Sequence, residues 1–249
     1  MKFNVRPIRI AFLLMGVLAA SIAYSGVIVN ATRFIYKSNN RDVSVRLSNE
    51  GENPALVQLW IDDGAPDLAP NKIDVPFVIS SPTVRIEPKQ SRALRLIATN
   101  PTLPQDRETM YWLNILEIPP KPKVDEGQNY MQFSVRTRLK LIYRPEKVGN
   151  DVVNSAKEVR LQIVQEKPLR MKLVNASANY LNFGEIAIME GGQKIGKPLY
   201  ATVSPFDGTE LDFSEVDLSQ INKEKVEVLF SVIDDNGASS TFGMPIVRR

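Results

Sequence analysis

The sequence predicts an all-β chain folded as two β-sandwich domains in tandem, with a cleft between them. Short runs of alternating apolar and polar residues recur along it, the period of two that marks a strand with one buried face. Turn residues break these runs at frequent intervals, as in Asn49-Glu50-Gly51-Glu52-Asn53-Pro54. Its 249 residues are enough for two ordinary domains, and 43% hydrophobic with 24% charged residues is a globular composition.

The first 25 residues stand apart. Lys2, Arg6 and Arg9 form a charged leader, Ile10–Ala20 is apolar, and Ala23 and Ser25 are small residues spaced as a secretory cleavage site requires. Residues 1–25 are therefore expected to be a signal peptide, with a mature start at Gly26. Cleavage after Ala23 or Ala31 is the alternative. The apolar run is short of the ~20 residues of a spanning helix, so export without stable membrane insertion is expected.

The first domain is expected over residues 26–145. Val27–Val29 and Thr32–Tyr36 form a first strand, ended by Ser38-Asn39-Asn40. Val43, Val45 and Leu47 alternate with polar residues, and Ala55–Asp62 is an apolar run holding Trp60. Phe77–Ser80 is short, Ala93–Ala98 alternates, and Met110–Ile118 stops at Pro119-Pro120. About seven strands in ~120 residues, with no useful helical period, is the pattern of an immunoglobulin-like sandwich.

The seventh strand is the anomaly. From Asn129 to Pro145, Met131, Phe133, Val135, Thr137, Leu139, Leu141 and Tyr143 share one parity. Gln132, Ser134, Arg136, Arg138 and Lys140 share the other. Typical strands hold about 5–6 residues, and at ~3.3 Å each this run reaches ~50 Å. Either the strand bends and changes partners, or part of its apolar face and edge serves another chain. Pro145 ends it, since proline cannot donate to a ladder. Glu146–Asn154 reads as a hinge or linker.

The second domain, residues 146–249, is also all-β. Its strands are expected at Val159–Val164, Arg170–Val174, Tyr180–Met189, Leu199–Val203, near Phe213, and Val226–Ile233. Glu190-Gly191-Gly192, Asp207-Gly208 and Asp234-Asp235-Asn236-Gly237 are its turns.

Composition removes whole classes of function. Taking the three leader cations from the 31 basic residues leaves 28 against 28 acidic ones, so a nucleic-acid footprint is absent. There is no histidine and no cysteine, which removes the commonest general base and every Ser-His or Cys-His arrangement. Asp62-Asp63 and Asp234-Asp235 are adjacent carboxylates, but each pair ends a strand beside a glycine and reads as a turn former. A calcium site at Asp234–Gly237 lacks the alternating acid spacing. No phosphate loop or metal spacing is present. No enzyme, cofactor or metal is expected.

Cations inside apolar strands carry more. Arg33 lies in T-R-F-I-Y, Arg95 in A-L-R-L-I and Lys140 in R-L-K-L-I-Y. A lone cation on a strand is usually the solvent face. Arg33, however, opens the first strand and Lys140 lies near the end of the last. Those places can meet at the domain junction, where two cations would hold an anion, most simply a carboxylate.

The runs T-R-F-I-Y (32–36), N-P-A-L-V-Q-L-W-I-D (53–62), R-I-E-P (85–88), L-P-Q-D-R-E (103–108), W-L-N-I-L-E-I-P-P (112–120) and R-T-R-L-K-L-I-Y-R-P (136–145) together resemble the PapD-like periplasmic pilus chaperones of the chaperone–usher pathway. The second domain matches more loosely, through S-P-F (204–206) and I-D-D-N-G (233–237). It departs at Asn175-Ala176-Ser177-Ala178, where the family usually has an N-P-T-P-like turn.

The resemblance implies partners and roles. The last strand of domain one would lend Met131, Phe133 and Val135, with Asn129 at the end of the series, to a pilus subunit that lacks a strand. Arg33 and Lys140 would grip the subunit's C-terminal carboxylate, and cleavage after Ser25 would make Arg33 the eighth mature residue. Arg95, Glu108, Arg144 and Asp235 would form an interdomain ionic network. Delivery would be to an outer-membrane usher, with self-association as one way for free copies to hide the lent strand. The short loop Lys121–Gln128 and the lack of Cys resemble the short-loop branch, whose members usually serve rod-like pili. The rival readings are a structural pilus subunit and an Ig-like cell-surface binding module.

Overall fold

A computed structural model describes residues 26–99, 103–121, 129–220 and 226–246. The expected signal peptide, and all of the expected loop after Lys121 up to Gln128, lie outside the described residues. The strands β1 (Val27–Val29), β3 (Val43–Asn49), β5 (Phe77–Ile79) and β7 (Ser91–Ala98) form one sheet, in the order β1-β3-β7-β5. A second sheet holds β2 (Arg33–Lys37), β4 (Ala55–Asp62), β6 (Thr83–Ile86), β8 (Thr109–Ile118) and β9 (Val135–Arg144), in the order β2-β9-β8-β4-β6. Their facing sides bury Leu47, Leu59, Ile86, Leu96, Leu113 and Leu141. Each such side chain contributes roughly 1.5–3 kcal/mol relative to exposure. Tyr36, Phe77 and Tyr111 bridge the sheets through edge-on ring contacts at 5.6 and 5.0 Å.

Two expectations change here. The first strand is two strands in different sheets. β1 pairs antiparallel with β3, whereas β2 pairs in parallel with β9. Alternation fixes which face a residue shows but not which sheet it joins, and Asn30-Ala31-Thr32 carries the chain across. The seventh strand is also shorter than expected. It begins at Val135, opposite Glu117, because β8 stops before Pro119-Pro120 and offers Asn129–Ser134 no partner.

The second unit has its own core, including Leu169, Met171, Leu173, Leu181, Ile186 and Val228. Strands β10 (Arg160–Glu166), β11 (Leu169–Val174) and β14 (Gly208–Asp212) face β13 (Gln193–Val203), β12 (Leu181–Glu190), β15 (Val226–Ile233) and β16 (Ser239–Pro245). The Gly191-Gly192 pair closes the β12–β13 hairpin in two residues, both at positive φ (56° and 86°), as a hairpin of this length prefers. A short helix, α1 (Val152–Ser155), lies in the expected linker and is capped by the Asp151 carboxylate, which accepts from Asn154 N–H. Strand β16 was not expected. It is a half-covered edge strand rich in Ser, Thr and Gly, so it lacks an apolar run.

Candidate functional site

The parallel β2–β9 ladder sets Arg33 directly opposite Lys140. Phe34 and Tyr36 on β2, with Leu141 and Tyr143 on β9, turn inward to the core, so the two cations fall on the outer face. There they meet the second unit. The Lys140 ammonium donates to Asn182 Oδ1, and to Thr202 Oγ1 at 2.6 Å. Arg33 Nη1 donates to the Ile233 carbonyl at 3.4 Å. Arg33 Nε is buried without a hydrogen-bond partner, an unfilled demand for an acceptor.

Electrostatics points the same way. Burial lowers the Arg33 pKa against the opposing pull of Asp235 and Asp234. Burial, and then the nearby Arg33 guanidinium, push the Lys140 ammonium down to about 8. The pair is under-compensated, and an anionic guest would relieve it.

In the free chain the cost of the Lys140 charge is fully present below about pH 8 and is relieved as pH rises towards the ordinary 10.5. A bound carboxylate holds the proton on, so binding takes up a proton above about pH 8. Affinity for a peptide with a free C-terminal carboxylate is expected to be flat below about pH 7 and to fall by up to ~tenfold per pH unit in the alkaline range. Titration calorimetry across that range checks this, and a flat profile would remove Lys140 from the anion site.

Next to the cations, β9 changes character. Tyr143 and Leu141 are buried, Leu139 and Thr137 are half-buried, and Val135, Phe133 and Met131 are 59, 72 and 79% exposed. Three large apolar side chains on one parity stand in solvent, and Asn129 is exposed beyond them. The segment is tethered by Gln132, whose Nε2 donates to the Pro119 carbonyl at 2.7 Å. Because β2 covers only Lys140–Arg144, the stretch Val135–Leu139 has β8 on one side and no described strand on the other.

A buried ion cluster joins the two units. Arg144, 1% exposed, donates to Glu108 Oε1 through Nε and to both Asp235 oxygens, at 2.5 and 2.8 Å. Glu108 also accepts from Tyr180 N–H at 2.6 Å and from Asn179 Nδ2 at 3.2 Å. Burial raises the Glu108 pKa more than Arg144 lowers it. Burial works against the Arg144 charge too, but Asp235 and Glu108 more than offset it. Arg95 is not part of this cluster, contrary to expectation. It lies on β7 in the other sheet, exposed, with Asp42 at 3.8 Å. An Arg between apolar neighbours reads the same on any half-buried strand, and only the sheet assignment separates Arg95 from Arg144.

Comparison with known proteins bears directly on this architecture. Residues 26–149 match the family described as pili and flagellar-assembly chaperone, PapD N-terminal domain. The chain is 31% identical to chaperone protein FimB/FhaD of Bordetella pertussis over 228 residues, covering 90% of this chain and 89% of that protein. It belongs to the PapD-like family of pilus-assembly chaperones. The Pseudomonas aeruginosa chaperone CupB2 is similar in structure (TM-score 0.71, 28% identity, 88% of this chain and 100% of that one). So is the Salmonella enterica chaperone structure solved as SafB in complex with the pilin SafA (TM-score 0.72, 26% identity, 91% and 99%).

The chaperone also contains a polar assembly that the sequence reading missed. Asp62 accepts from Gly64 N–H at 2.8 Å, as a turn former does, but is fully buried. It accepts from Arg138 Nη2 at 2.5 Å and Asn114 Nδ2 at 2.7 Å. Burial opposes its charge, yet these hydrogen bonds hold its pKa below the usual carboxylate range. Arg138 stacks on Trp112 at 4.3 Å and Arg136 on Trp60 at 4.9 Å, so the polar face of β9 is tied across its own sheet to β8 and β4. The register signal existed, since Arg138 faces Asn114 and Asp62 faces Trp112 across the ladders. At the other acidic pair, Asp234 caps its own turn by accepting from Asn236 and Ala238 N–H, while Asp235 serves Arg144. Asn182 and Thr202 came from a distant part of the chain and gave no local signal.

Proposed function

We propose that this chaperone caps pilus subunits by donor-strand complementation in the periplasm and hands them to an outer-membrane usher. One observation carries the reading: an exposed apolar series, Met131 and Phe133 just before β9 and Val135 at its start, leads into an open sheet edge that ends at Arg33 and Lys140. Main-chain hydrogen bonds along that edge give affinity for any strand-deficient subunit, and the apolar side chains guard against a one-residue slip of register. Arg33 and Lys140 receive the subunit's C-terminal carboxylate, with Asn129 at the outer end of the series. Glu108, Arg144 and Asp235 hold the two units at a fixed angle around that cleft.

Signal removal after Ser25 leaves a subunit-binding domain over residues 26–145 and a second domain over 146–249. Among the described residues no helix is long and apolar enough to cross a membrane. Capping uses binding energy alone, with no catalysis, nucleotide or metal. Self-association is one way for free copies to hide the exposed series. The rival readings, a pilus subunit or a surface module, are less well supported, because chaperones match along nearly the whole chain.

The test is Phe133→Arg, which forces an unpaired charge into the subunit's groove. Recovery of co-purified subunit is expected to fall roughly tenfold or more, with the chaperone's own melting temperature unchanged because Phe133 is exposed. Wild-type recovery of subunit by this variant would count against the lent-strand assignment.

A further inference from the structure

At the end of β8 remote from the domain junction, Glu117 reaches from the five-stranded sheet to the start of β1 in the other sheet. Its Oε2 accepts from Val27 N–H at 2.9 Å. The Gly26 carbonyl accepts from Glu50 N–H at 3.1 Å, so both sides of Gly26 are held. A Cβ placed on Gly26 would fall 2.2 Å from Glu117 Oε1 and 2.5 Å from Oε2. With bonds of about 1.5 Å on either side of Cα, the Gly26 nitrogen must lie within about 5 Å of the carboxylate. The absence of a side chain is what leaves the carboxylate room against this backbone.

The same groups line an open cavity of about 410 Å³, shared with Glu52, Asn53, Pro54 and Pro119. The charged groups facing it are Glu117 and Glu52. Lys89 pairs with Glu52 at 2.9 Å and donates to the Glu50 carbonyl. The depression is therefore acidic where Gly26 sits. In the unprocessed chain the Gly26 nitrogen is a neutral amide and offers this carboxylate no charge.

We propose that Glu117 is the seat of the mature N-terminus: the α-ammonium of Gly26, freed by signal cleavage, pairs with the Glu117 carboxylate and clamps β1 across both sheets. The inference rests on cleavage after Ser25. In that hydrolysis water supplies the hydroxyl that completes the Ser25 carboxyl group, and the Gly26 amine takes up a proton. The ion pair anchors a strand of only three residues, just upstream of β2 and Arg33. It also stands opposite Val135, the innermost of the exposed apolar series. Processing would thus complete the fold beside the subunit-binding edge.

The experiment has two readouts on the exported, purified protein. Intact mass identifies the first residue, with Gly26 expected. Acylation of the N-terminal peptide across pH, followed by mass spectrometry, then measures titration of the α-amine in wild type and in Glu117→Gln. Glutamine keeps an acceptor for Val27 N–H and removes only the charge. The wild-type amine is expected to titrate about one unit higher, seen as roughly tenfold slower acylation near neutral pH. Equal titration in the two proteins, both starting at Gly26, overturns the seat while leaving the cleavage reading intact. A different first residue overturns the cleavage reading and the seat with it.

Discussion

Lys140→Ala is expected to give a folded chaperone that no longer retains subunit, and Arg33→Ala the same. A charge-assisted contact to a carboxylate is worth roughly 1.5–3 kcal/mol, a factor of about 10–150 in affinity. The exposed apolar series would contribute more in total once a guest covers it, but it repeats every second residue and tolerates slippage by two. On the proposed function the cations would remove that degeneracy by marking where the guest chain ends. The fold should survive the loss of Lys140 because the lowered pKa marks its buried charge as a cost to the free chain. Its two acceptors also keep each other, Thr202 Oγ1 donating to Asn182 Oδ1 at 3.2 Å. Co-purification with subunit and thermal melting check both halves, and wild-type yields from both variants would sink the anchor role.

Arg144→Ala should be the most destabilising single change at the junction. It leaves the Glu108 carboxylate buried without its cation and frees Asp235. Breaking one side of a buried pair typically costs about 3–5 kcal/mol, which for a chain of this size shifts the melting temperature by very roughly 6–20 °C. The orphaned Glu108 would have its pKa raised further by burial. The variant should therefore regain stability as pH falls from neutrality, when the carboxyl group protonates. Adding Glu108→Gln removes the stranded charge and should recover part of the loss at neutral pH. Scanning calorimetry at two pH values reads both effects. An Arg144→Ala protein that melts like wild type would mean that the cluster does not support the junction.

Much of the fold was legible because burial is written into alternation. Val45 and Leu47, or Val57, Leu59 and Ile61, declare their inward face without any knowledge of their neighbours. What alternation omits is the partner strand. Residues 27–36 read as one strand-forming run, yet they divide between two sheets. The short strand β6 and the Ser- and Thr-rich β16 bury too little apolar surface to announce themselves. The candidate site followed the same division. The exposed series was visible as excess strand length, whereas Asn182 and Thr202 meet Lys140 only through tertiary folding. Arg95 and Arg144 look alike in sequence, and their difference is one of layer. Asp62 shows the opposite failure, since its turn role was correct and hid a second role on the outer face of β4, where Arg138 and Asn114 cover it.

The parallel pairing of β2 with β9 also dictates a polarity. A guest strand that fills the open edge beside Val135–Leu139 lies end to end with β2 and meets it at Arg33. If the guest's C-terminal carboxylate is what arrives there, the guest must run in the same direction as β9. Neighbouring parallel strands cannot be joined by a tight hairpin and need a long crossover. On that reading the edge would suit a segment of another molecule, because a strand following β9 by a short turn would arrive with the wrong sense.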